Sequence, residues 1–74
     1  MTQKDRILKY MKDFGSISAL EAMKDLGIMR LASRISEMIA EGVQIEKKYE
    51  KGENRYNEPI YYVRYSLSEE EKEI

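Results

Sequence analysis

Arg30, Ser33 and Arg34 are the residues of this chain whose types and spacing can do chemistry. Residues three and four apart on a helix share a face, so the three lie together if residues from about Met29 to Glu41 are helical. An arginine can pair bidentately with O6 and N7 of guanine. A serine hydroxyl can donate to a phosphate without blocking close approach. Glu37, one turn on, can accept from N4 of cytosine. The plain alternative is a solvated face on which Arg34 pairs with Glu37, with Ser36 as surface filler. Charge order favours the first reading. A helix prefers anions near its N-terminus and cations near its C-terminus, by about 0.3–1 kcal/mol each. This one carries Arg30 and Arg34 first and Glu37 and Glu41 last. Arg30 and Arg34 also repel mildly at i, i+4. The fold gains nothing from this order, whereas a phosphate or a guanine edge at the N-terminal half would.

The elements that must position these side chains are legible upstream. Thr2 and Asp5 open a helix over residues 3–14, with Ile7, Leu8, Met11 and Phe14 recurring at helical spacing, and Gly15 stops it. Ser16–Ile17 leaves room only for an extended link or a one-residue bridge. Ser18-Ala-Leu-Glu21 is a capping box. The helix it starts runs through Leu20, Ala22, Met23 and Leu26 to Gly27, and Ala22 suits a close helix crossing. In the next helix Leu31, Ile35, Met38 and Ile39 face inward, and Gly42 ends it. Two short helices joined by a tight turn can place the second in the major groove of DNA.

The period then changes. Val43, Ile45, Lys47 and Tyr49 alternate with polar residues, which is a strand. Lys51–Pro59 reads as a polar turn and Ile60–Leu67 as a second strand. Tyr61, Val63, Tyr65 and Leu67 share one face of it. Five of the six tyrosines fall between Tyr49 and Tyr65. Base stacking is one use of them. The stronger expectation is that Tyr49, Tyr61 and Tyr65 cover the helices, leaving Tyr62 and Tyr56 for a partner.

Composition narrows the function. The 74 residues make one small domain with a modest core. There is no cysteine and no histidine, so disulfides, thiolate metal sites and the commonest general base are all missing. No catalytic constellation, metal site or cofactor is expected, and the chain does not read as an enzyme. No apolar run is long enough to span a membrane, and MTQKDR is not a signal peptide. A soluble, cytoplasmic protein is the expectation. Net charge is −1, but the terminal EEEKEI holds four Glu and one Lys. The preceding body is therefore mildly basic, and local patches decide binding. Residues 68–74 read as an acidic tail on a domain spanning 1–67.

Three helices followed by a β-hairpin, carried by SISALEAMKDLGIMRLASRISEM and NRYNEPIYYVRYSL, resemble the winged helix-turn-helix domains common in small bacteriophage and prophage proteins. The resemblance covers about residues 3–67. It implies an α+β fold with a three-helix core and a two-stranded wing. It also implies duplex DNA binding through the third helix, with the wing on the backbone or minor groove. Such domains often have a Ser or Thr cap at the start of that helix, where this chain has Ile28-Met29. On the wing, Lys51 and Arg55 are the candidate phosphate contacts, with Glu46, Glu50, Glu53 and Glu58 interleaved.

Two readings from different classes follow. One is a duplex DNA binder using Arg30, Ser33, Arg34, Glu37, Lys51 and Arg55, as a small transcriptional regulator or a recombination accessory factor. The other is a protein-binding module on the same scaffold that modulates a host or phage protein. A homodimer or a protein partner fits either, since a lone domain of this size offers little interface.

Overall fold

In the computed structural model, which describes residues 1–68, the chain forms three helices and one three-stranded antiparallel sheet. Helix α1 spans Gln3–Phe14. Thr2 caps it, accepting from the Asp5 amide while the Asp5 carboxylate accepts from the Thr2 amide. That bond to the Thr2 backbone holds the Asp5 carboxyl below its usual range. Ile7 and Met11 are buried, and Gly15 closes the helix in the left-handed region. Phe14 stays exposed, against the expectation from its spacing. It sits on the last turn, with its ring centroid 4.7 Å from that of Tyr10.

Strand β1 is Ile17–Ser18, the short bridge that the link allowed. Ser18 also caps α2, so one residue ends a strand and starts a helix. Helix α2 opens as Ala19–Glu21 and widens into a π-helical turn over Ala22–Leu26. The widening alters the helical repeat that a period of 3.6 residues assumes. Ala22 is fully buried, whereas Leu20 and Met23 are exposed. Gly27, at φ 69°, donates to the carbonyls of Ala22 and Met23, and the Ile28 amide reaches the Ala22 carbonyl at 3.0 Å.

Helix α3 spans Leu31–Ala40 and buries Leu31, Ile35 and Met38. It starts two residues later than its spacing implied. Ile28 is 1% exposed and Met29 75%. The turn is therefore anchored by Ile28 alone, and Met29 contributes nothing to the core. Ile39 also lies outside the core.

Strands β2 (Ile45–Glu53) and β3 (Pro59–Leu67) form the hairpin, and β3 sits centrally in the order β1-β3-β2. The register runs from Ile45 opposite Leu67 to Glu53 opposite Pro59. On the other side, Ile17 pairs with Tyr65 and Ser18 with Arg64. The hairpin outruns the helices. Of the three tyrosines expected to cover them only Tyr65 is buried, while Tyr49 and Tyr61 stand exposed. The strands also run further than a turn over Lys51–Pro59 allowed, which leaves Asn54–Glu58 as the tip. There the Asn54 carboxamide oxygen accepts from the amides of Tyr56 and Glu58, and Asn57 takes φ 62°. The wing tip is thus a hydrogen-bonded loop that projects Arg55 and Tyr56 outward. The acidic tail beyond Ser68 lies outside the described residues.

Candidate nucleic-acid interface

Helix α3 presents three different flanks. Its buried stripe fixes the opposite face as Ser33, Ser36 and Ala40, spaced i, i+3, i+7 and all exposed. Those side chains are small and uncharged, so another backbone or a base edge can approach the helix closely. Arg30 stands at its N-cap position, exposed, at φ −118° and ψ 57°. No side chain caps the helix and no acidic residue occupies its first turn. Arg30 makes no ion pair with a described residue.

Arg34 takes a different place. Its side chain turns along the flank toward α1. Nε donates to the Gln3 side-chain oxygen at 3.0 Å, and Nη1 to Glu37 Oε2 at 2.7 Å. Glu37 Oε1 lies 3.3 Å from Lys4 Nζ, which also reaches Glu41 at 3.1 Å. Glu37 is thereby held below the usual carboxylate range, first by its bond to Lys4 and then by Arg34. Lys4 is raised above its ordinary value, chiefly by Glu41. The Arg34–Glu37 pair weighed from the sequence does form. It belongs to a larger chain, Gln3–Arg34–Glu37–Lys4–Glu41, that clamps the start of α1 to α3. Glu37 of α3 and Glu41 at its C-cap are consequently offset by a lysine from 33 and 37 positions upstream, a partner that no local pattern could reveal.

Lys51 and Arg55 are both exposed on the wing, Lys51 on β2 and Arg55 at the tip. Neither forms an ion pair with a described residue. They are thus available, but on a separate element from Arg30 and Ser33. The wing root is tied to the helices by Arg64. Its guanidinium donates to Glu50 on β2, to Glu21 of α2 at 2.7 Å and to Ser16 at 3.2 Å. Glu21, then Glu50, raise the Arg64 pKa. Alternation along β3 puts Arg64 on the face opposite Val63 and Tyr65. The junction has no local sequence signal, because the partners lie 14, 43 and 48 positions away. Ser36, taken as filler, belongs to the outermost stripe of α3.

Among the described residues no group of side chains could hold a metal ion, and no helix is long and apolar enough to cross a membrane. A capped helix pair, an exposed second helix and a β-hairpin are the parts of a winged helix-turn-helix. The family profile described as "Winged helix-turn-helix domain" matches residues 2–70, and the chain belongs to that family. Comparison with curated proteins and with solved structures gave no match. Family membership points to DNA binding, and domains of this type are typically non-enzymatic.

Proposed function

We propose that the protein binds duplex DNA in a sequence-dependent way, with the N-terminal half of α3 in the major groove and the wing tip on the backbone. The observation that carries this reading is the start of α3. An unpaired Arg30, an uncapped first turn with no acid in it, and the small stripe Ser33–Ser36 adjoin one another. Free amides at a helix N-terminus attract phosphate, and Arg30 can read guanine. Ser33 and Ser36 donate to phosphate or base edges. Arg34 is oriented by Gln3 and Glu37 and still has N–H donors left for a phosphate. Glu37 serves that orientation, with both oxygens engaged, rather than accepting from cytosine. Lys51 and Arg55 hold phosphate from the wing. The role is that of a small cytoplasmic transcriptional regulator or recombination accessory factor of phage type.

Fluorescence titration against a duplex selected from a random pool tests this. Arg30→Ala is expected to weaken the selected site and relax preference at one base pair, and unchanged binding by Arg30→Ala would remove the model.

One observation favours a second reading, a protein-binding module. Leu20, Ala32, Ile60 and Tyr62 help line an open cavity of about 730 Å³. Retention of a purified protein partner, with no duplex retardation at low salt, would select it over DNA binding.

A further inference from the structure

Odd-numbered residues of β2 and β3 share one face of the sheet, since side chains alternate and the register pairs odd with odd. At the root this face carries Tyr65 and Leu67 into the core. Further out the helices no longer cover it. Beyond Lys47, which stands exposed at the register of Tyr65, it carries Tyr49, Lys51 and Tyr61. Tyr49 is 76% exposed and Tyr61 69%. Lys51 lies directly opposite Tyr61, and Tyr49 lies opposite Val63. The two residues are therefore diagonal neighbours across the ladder, with backbone positions roughly 7–8 Å apart.

The fold makes little use of these rings, which bury little. Lys47 and Lys51 form no ion pair with a described residue. The face has one carboxylate on its strands, Glu53, at the tip opposite Pro59. The even face is built differently. Glu50 pairs with Arg64 there, and the Tyr62 ring lies so close over Gly52 that a Cβ on that glycine would come within 3.3 Å of it. The two most exposed strand rings thus share one side of the wing with Lys47 and Lys51, whereas on the other side Tyr62 is 38% exposed and Lys48 stands between Glu46 and Glu50 on its own face.

That pattern matches what unpaired nucleotides require. Bases in a duplex are already stacked, so exposed rings add little to duplex binding. Bases of a single strand offer free π-faces for aromatic side chains, while cations follow the backbone. We propose that the Lys47–Tyr49–Lys51–Tyr61 face of the wing is a binding site for single-stranded nucleic acid. Two unpaired bases stack on Tyr49 and Tyr61, and Lys47 and Lys51 hold the flanking phosphates. The site rests on the nucleic-acid reading of the wing, through Lys51, and is independent of α3.

The test is fluorescence anisotropy at low salt with labelled dT12, rU12 and a 12-base-pair duplex. Wild type is compared with Tyr49→Ala/Tyr61→Ala, Tyr49→Phe/Tyr61→Phe and Arg30→Ala. Amide spectra check that each variant is folded. Binding of either single strand is expected, and its response to sugar chemistry assigns DNA, RNA or both. The double alanine variant should lose about tenfold or more in single-strand affinity. The double phenylalanine variant should retain it, and duplex affinity should be unchanged in both. Arg30→Ala should weaken the duplex alone. Duplex binding without single-strand binding overturns the site and leaves the α3 reading standing. Single-strand binding without duplex binding does the reverse. Equal single-strand affinity for wild type and the double alanine variant overturns the site. So do concentration-dependent shifts at Tyr49 and Tyr61 without nucleic acid, which would place a second copy on this face.

Discussion

Glu21 Oε1 accepts from the Ser18 amide at 3.0 Å and from Arg64 Nη1 at 2.7 Å, so one carboxylate oxygen both closes the cap of α2 and grips the root of the wing. The helix-turn-helix and the hairpin therefore share an atom at their junction. If the wing must meet DNA at a fixed angle to α3, this junction sets that angle. Arg64→Met is expected to lower stability by about 1–2 kcal/mol, less than a fully buried network would cost because the pair is partly solvated. Urea unfolding followed by circular dichroism measures the loss. The same variant should weaken duplex binding by more than its stability loss explains.

The capping box itself is separable from the grip. Ser18→Ala removes the acceptor for the Glu21 amide but keeps the Glu21–Arg64 pair. A cost of about 1 kcal/mol is expected, within the usual range for an N-cap. Thermal denaturation checks it, and DNA affinity measured well below the transition should be unchanged.

The turn before α3 gives a contrast between neighbours. Ile28 is buried and Met29 is exposed. Ile28→Ala should cost about 2–5 kcal/mol through transfer and cavity terms. Met29→Ala should stay within about 0.5 kcal/mol of wild type. Urea midpoints of the two variants settle the difference.

Much of the scaffold was readable in advance because its signals are local. The Thr2 and Ser18 boxes, the stops at Gly15 and Gly27 and the stripe Leu31–Ile35–Met38 each lie within a few residues. The misplaced residues have other causes. Leu20 lies about 200° round the helix from the buried Ala22, so the apolar residues of α2 do not share one face, and Met23 is exposed within the π turn. Tyr49 and Tyr61 alternate as core residues do, yet the strands extend past the helices that would cover them. The site was readable only in part for the same reason. Arg30 and Ser33 are exposed on α3, but the orientation of Arg34 depends on Gln3 and the charge of Glu37 on Lys4, both far upstream.

The clamp between α1 and α3 has a pH signature. Glu37 lies below its ordinary value of 4.5 because Lys4 and Arg34 favour its ionised form. A depressed carboxyl contributes stability that is present above the unfolded pKa and lost as pH falls through the folded one. The clamp should thus hold at neutral pH and weaken below about pH 4.5. Carboxyl carbon chemical shifts should give Glu37 a pKa below 4.5 in the wild type, moving back up in Lys4→Met.

On the wing, Lys51→Ala should lower affinity uniformly across DNA sequences and reduce the salt slope by about one. Arg30→Ala should instead cost about 1–3 kcal/mol at the selected site and far less on random duplex. Titrations at several salt concentrations separate the two behaviours.

The central claim is that α3 and the wing tip together contact duplex DNA, and amide-shift mapping with the selected duplex tests it most directly. The largest shifts are expected at Arg30–Glu37 and at Lys51–Tyr56, with α1 beyond its first turn little changed. Shifts confined to Leu20, Ile60 and Tyr62, with Arg30–Glu37 silent, would contradict it.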